Sequence, residues 1–195
     1  RNNGVPFVVY RDKGNGNKAT VKKFSAGSWS NVGSPGFSAG EVAYTSIVIN
    51  KAGVSYVVYR DDENEGKATV KKFTAGSWKD VGLPGFSAGA VSYTTLAIDG
   101  SGTPYVVYLD EANERKTTVK KFKNGSWQDV GSPGFSIDPV SGTSIAINEW
   151  GTPYVVYSSG GGGDVRVMYF FEGEWTVLGP PLEVNHLYQI SNIDL

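Results

Sequence analysis

The chain of 195 residues contains no cysteine. That absence removes disulfides, thiol nucleophiles and thiolate-based zinc sites together, and leaves no residue from which a redox compartment could be read. Histidine occurs once, as His186, and no Ser/His/Asp set has a recognisable local signature, so triad chemistry has no foothold. An excess of one charge is also missing: 18 Lys and Arg stand against 19 Asp and Glu, a formal net charge of −1. No global field gathers nucleic acid or an anionic membrane, and neither is expected as a partner. No apolar run approaches the roughly 18 residues of a bilayer span, and the opening Arg1-Asn2-Asn3-Gly4 does not read as a signal peptide. The expectation is a soluble chain or an excised mature piece, with an extracellular or cell-surface setting favoured. Apolar residues at i, i+3, i+4 and i+7 are not sustained over ten residues anywhere, so helices are not expected.

What is present is repetition. Glycine reaches 26 residues, about 13% against a usual share of about 7%, and it is spread along the chain as many turns would require. Val-Val-Tyr recurs at 8–10, 57–59, 106–108 and 155–157, and Trp29, Trp78, Trp127 and Trp175 follow at spacings of 49, 49 and 48. Lys-Lys-Phe stands at 22–24, 71–73 and 120–122, and Pro-Gly-Phe-Ser at 35–38, 84–87 and 133–136. Within one unit the β-rich runs 93–99, 104–108, 117–122 and 126–131 are separated by glycine-bearing turns of hairpin length, and Asp99 is placed to cap the first of them. Adjacent valines in the second run mean that both faces of that strand are covered, as in a small sheet stacked between two others.

Four-stranded antiparallel units of this period, packed face to face, make an all-β β-propeller of four blades in a single domain, with repeats at about 1–43, 44–92, 93–141 and 142–195. Residues 5–33 lack a first strand and the tail 188–194 resembles one, so the C-terminal strand is expected to pair with the N-terminal blade and leave no open edge. The chain thus resembles β-propeller repeat proteins over nearly its whole length. It is similar to small haemopexin-like propellers, without the cysteines that often staple their ends, and to bacterial surface propellers with more blades. Those resemblances leave two assemblies open: a closed four-bladed monomer, or a homodimer in which two chains complete one eight-bladed ring. Copies one and two are nearly identical from Lys18 and Lys67 onward, as recent duplication or human design of a scaffold or fragment would produce.

The loops from strand four to the next strand one share a face with those joining strands two and three. That face carries Arg11, Asp12, Phe37, Arg60, Asp61, Phe86, Asp110 and Phe135, which could bind a protein or glycan ligand. The same phenylalanines could instead plug gaps between blades, and each Asp could accept backbone N–H groups in its turn. The tryptophans, recurring once per blade, are expected between blades, whereas Trp150 breaks the pattern and is expected to be exposed. Adjacent lysines point to opposite faces of a strand and form no basic patch. The run 61–66 is only loosely like a calcium loop, so no metal or other cofactor is expected. The fourth copy replaces Arg-Asp with Ser158-Ser159 followed by Gly160 to Gly163. The functional expectation is a non-catalytic module presenting one loop face, with no catalytic residues. The alternative is an extracellular carbohydrate-active enzyme using acidic residues on that face.

Overall fold

The computed structural model describes residues 4–159, 164–183 and 193–194. The chain is a β-propeller: every sheet is antiparallel and each consecutive set of strands forms one blade. The first blade comprises β1 (Phe7–Asp12), β2 (Lys18–Ser25) and β3 (Ser28–Asn31). The second comprises β4 (Val42–Ile49), β5 (Ser55–Asp61), β6 (Lys67–Thr74) and β7 (Ser77–Asp80), and the third β8 (Val91–Ile98), β9 (Pro104–Asp110), β10 (Lys116–Lys123) and β11 (Ser126–Asp129). The fourth comprises β12 (Val140–Ile147), β13 (Pro153–Ser159), β14 (Asp164–Phe171) and β15 (Glu174–Val177), and a short β16 (Leu182–Glu183) also pairs with β14. Helical structure among the described residues is limited to 3₁₀ turns after the second strand of blades one to three.

Turn chemistry fixes the registers. Between strands three and four the two-residue turns Ala26-Gly27, Ala75-Gly76, Asn124-Gly125 and Glu172-Gly173 all have both φ angles positive, the hairpin geometry whose twist matches that of the strands. That register sets Phe24 opposite Trp29, Phe73 opposite Trp78, Phe122 opposite Trp127 and Phe170 opposite Trp175. At the turns between strands one and two, the Oδ1 atoms of Asn50, Asp99 and Asn148 each accept two backbone N–H groups, the capping role expected of Asp99.

Packing is between blades rather than within them. Val57 and Tyr59 face Ala19, Val21 and Val32 of the preceding blade, and the same cluster recurs at the next two junctions. Each valine so buried contributes roughly 1.5–3 kcal/mol. Trp78, Trp127 and Trp175 reach back across the junction: their rings stack on Phe37, Phe86 and Phe135 at 4.2–4.3 Å, and their Nε1–H groups donate to the carbonyls of Val32, Val81 and Val130 at 2.7–2.8 Å. Gly33, Gly82 and Gly131 are the sockets, because a Cβ there would stand 2.7–3.1 Å from the next blade's Phe and Trp rings. Of the paired lysines, Lys71 and Lys120 are held by Asp80 and Asp129 at 2.6 Å.

The expected closing strand at 188–194 falls mostly outside the described residues, as do His186 and Gly160 to Gly163. Ile193 is described, and its amide donates to Ser144 Oγ of β12 at 3.3 Å.

Candidate functional site

The first strands lie innermost, β4 against β8 and β8 against β12, and all three begin on the loop face. At that end β4 and β8 are bulged, which places Tyr44 and Tyr93 in left-handed conformations, φ +49° and +51°. For a non-glycine residue this costs roughly 1–2 kcal/mol and persists only where surroundings enforce it. Here Thr94 Oγ1 donates to the Tyr44 carbonyl and Thr143 Oγ1 to that of Tyr93, so each bulge is pinned by the following blade. The two rings lie 5.1 Å apart, tilted by 48°, with Tyr44 half-exposed. They form an aromatic ledge at the axial mouth that the repeat pattern by itself did not single out. The available signal was a tyrosine directly before the strand-one threonines in two of the units.

The eight residues singled out on this face fall into three groups. Asp12, Asp61 and Asp110 are hubs of their loops: Oδ2 accepts from Asn15, Asn64 and Asn113 and from Thr20, Thr69 and Thr118, all at 2.7–2.9 Å. The same Thr hydroxyls accept from the amides of Gly36, Gly85 and Gly134 at 2.9 Å, tying the inter-blade loop down. Asp61 and Asp110 are buried. The bonds from Thr20 and Asn15 hold the Asp12 carboxyl below the usual carboxylate range. Phe37, Phe86 and Phe135 lie under the tryptophans described above. Arg11 and Arg60 reach solvent and pair with Glu41 at 2.7 Å and Asp62 at 3.0 Å. Sequence reasoning overlooked Ser38, Ser87 and Ser136, whose hydroxyls accept from the amides of Ala19, Ala68 and Thr117 and donate to the carbonyls of Gly40, Gly89 and Asp138.

Blade four breaks this network. Ser159 stands where Asp110 stands in the third unit, Arg166 where Thr118 stands, Asp138 where Gly89 stands and Gly142 where Tyr93 stands. Ser159 Oγ and Arg166 Nε are buried without partners among the described residues, and an Arg166 NH2 donates to Asp164 at 3.3 Å. Tyr157 is drawn into the same neighbourhood. Burial raises its phenol above the usual range, an effect opposed by the Ile137 amide and by Arg166 and reinforced by Asp138. A carboxylate paired to a guanidinium, Asp164, and an exposed one with no side-chain partner among the described residues, Asp138, therefore occupy one end of one blade. No three His, Cys, Asp or Glu side chains are gathered as a metal centre among the described residues. On the opposite face, Trp150 is exposed as expected and borders a cleft of about 480 Å³ with Asn148, Glu149 and Tyr154.

No protein-family model matches the chain, and no curated protein does. Solved structures are similar in fold. AofleA from Arthrobotrys oligospora superposes with a TM-score of 0.63 at 15% identity, over 94% of this chain and 59% of that one. The exo-beta-1,3-galactanase of Phanerochaete chrysosporium, in a structure with beta-1,3-galactotriose, gives 0.59 at 13% identity over 92% and 47%. A putative exo-beta-1,3-galactanase from Bifidobacterium bifidum gives 0.56 at 13% identity over 91% and 68%. The chain thus spans little more than half of AofleA and less than half of the fungal enzyme. What these share with it is the propeller fold; they lend nothing to the haemopexin-like resemblance in particular. They also correct the expectation of a non-catalytic binding module without enzymatic activity, because the recurrent neighbours are galactan-cleaving enzymes, and the carbohydrate-active alternative is the one they favour.

Proposed function

We propose that this propeller is the carbohydrate-active part of a glycan-hydrolysing protein, with its substrate, a β-linked galactan, seated at the mouth of the fourth blade on the loop face. The observation that carries the reading is the concentration of symmetry-breaking substitutions there. Asp138, Gly142, Ser159 and Arg166 all depart from the repeat at one end of one blade, where the other units that have the equivalent positions, two for Asp138 and Gly142 and three for Ser159 and Arg166, spend them on structure. Gly142 ends the row of tyrosines and leaves the Tyr93 ring as a wall for a sugar face. In the proposed reaction one carboxyl of the pair Asp138 and Asp164 protonates the departing glycosidic oxygen. The other takes a proton from the water that adds to the anomeric carbon, and the C–O bond to the leaving sugar breaks. Arg166 orients Asp164 through the bond that its guanidinium donates.

The similarity to exo-beta-1,3-galactanases supports the substrate class. Reducing-sugar release from β-1,3-galactan is the test. Activity that falls about 100-fold or more in both Asp138→Asn and Asp164→Asn supports the assignment, a loss in the range attributed to general acid–base groups. Absence of release from β-1,3- and other β-linked galactans, or variants that cleave at the parent rate, overturns it.

A further inference from the structure

The two ends of the blade stack are the two halves of one interface. Inside the chain that interface occurs three times, each with a Phe–Trp knob on the later blade and a Val–Gly socket on the earlier one. Blade one carries a fourth knob: Phe24 and Trp29 hold the same geometry as the buried pairs, centroids 5.4 Å apart and tilted by 58°, against 5.4–5.5 Å and 55–57° elsewhere. Nothing covers it. Val8 is 40% exposed where its equivalents Val57, Val106 and Val155 are at 0%, and the Trp29 Nε1–H has no acceptor among the described residues. Blade four carries a fourth socket. Leu178 is 51% exposed where Val32, Val81 and Val130 are at 7, 5 and 3%, and a Cβ at Gly179 would meet nothing within 4 Å.

We infer that a second copy of this chain covers these ends, with the Phe24–Trp29 knob of each copy seated on the Leu178–Gly179 socket of the other, in a closed ring of two. The occupant follows from continuity: the shapes, ring pairs and donor that the socket of blade four accommodates are those of blade one. Knob and socket are different surfaces, so the contact is head-to-tail and closes when the rotations sum to a full turn. Among the described residues blade one has three strands with β1 at its edge, and such an edge accepts a strand from another chain. Ile193, bonded to Ser144 of β12, stands beside the last innermost strand, where the first strand of a following blade would run. The axial mouth would then be walled by both copies.

Light scattering on the intact chain at micromolar concentration tests this, with twice the chain mass of 20.9 kDa expected. Trp29→Ser combined with Leu178→Lys should halve that mass while the β-sheet circular dichroism is retained. Leu83→Lys, at an exposed apolar side chain away from either end, should leave it doubled. Because the chain has no cysteine, Val8→Cys with Leu178→Cys and a short bis-maleimide reports which ends meet. A covalent dimer is expected. A cross-link within a single chain shows the ends closing on themselves and overturns the inference, as does a chain-mass particle at all concentrations or one that grows without limit.

Discussion

The socket glycines provide the sharpest test of how the blades are held. In Gly82→Ala the new Cβ would stand 2.9 Å from Phe122 Cε2 and 3.0–3.1 Å from Trp127 Cδ1 and Nε1. Trp127 is stacked on Phe86 and donates to Val81, and the Phe122 ring packs tilted against it at 5.5 Å, so both rings are held against the added methyl. The backbone φ of +77° adds a left-handed penalty of about 1 kcal/mol for alanine, and overpacking against fixed rings adds about 1–3 kcal/mol. Gly102→Ala is the control: its φ is +89°, but nothing lies within 4 Å of the added methyl. Gly82→Ala should therefore unfold with a loss of about 2–4 kcal/mol in urea titration and Gly102→Ala with about 1 kcal/mol. At roughly 2–4 °C per kcal/mol for a chain of this size, their melting temperatures should differ by several degrees. Equal losses would mean that the junction yields to the methyl group, and the knob-and-socket account would be wrong.

Thr69→Val should cost about 2–4 kcal/mol in the same titration, because it removes one of the two side-chain donors to the buried Asp61 carboxylate and strands the Gly85 amide, while Thr69→Ser should retain most of the stability. Tyr59 and Tyr108 have hydroxyls without partners among the described residues, and burial, reinforced by Asp61 for the first and Asp110 for the second, pushes both phenols far above the usual range. A folded-state pKa raised above the unfolded value of about 10 means stability that is intact below that pH and lost above it. Alkaline unfolding followed by tyrosinate absorbance should therefore begin above pH ~10 and be shifted upward in Tyr59→Phe and Tyr108→Phe. For Asp99, burial raises the carboxyl but the bonds from Ser101 and Thr103 outweigh it and hold it low. Its contribution is present above the unfolded carboxylate pKa of about 4 and lost as the pH falls through the folded value, so Asp99→Asn should flatten the acid limb of the stability curve.

Strand content, antiparallel order and blade number were legible in the sequence because each rests on local chemistry that recurs. The Ala-Gly and Asn-Gly turns need two positive φ angles, Asp99 and its counterparts cap turns of four residues, and Val-Val pairs need cover on both sides. The inter-blade role of Trp78, Trp127 and Trp175 was legible from period alone. Two further features depended on long-range placement. Asp61, Thr69 and Gly85 belong to one network only because the fold returns the inter-blade loop to the turn after the second strand. Tyr44 and Tyr93 meet only because two bulged strands from different blades share the axis.

Sequence by itself therefore determined the repeating unit and its stacking, since hairpin registers and two-sided apolar strands depend on residues close along the chain. The tertiary structure alone decided that the repeated aspartates serve their own loops, that the departures in blade four gather at one mouth, and that a knob and a socket face outward at opposite ends. The first of these was open in the sequence as one of two roles and closes within a single unit; the other two depend on distances between blades, which no spacing within a single unit encodes.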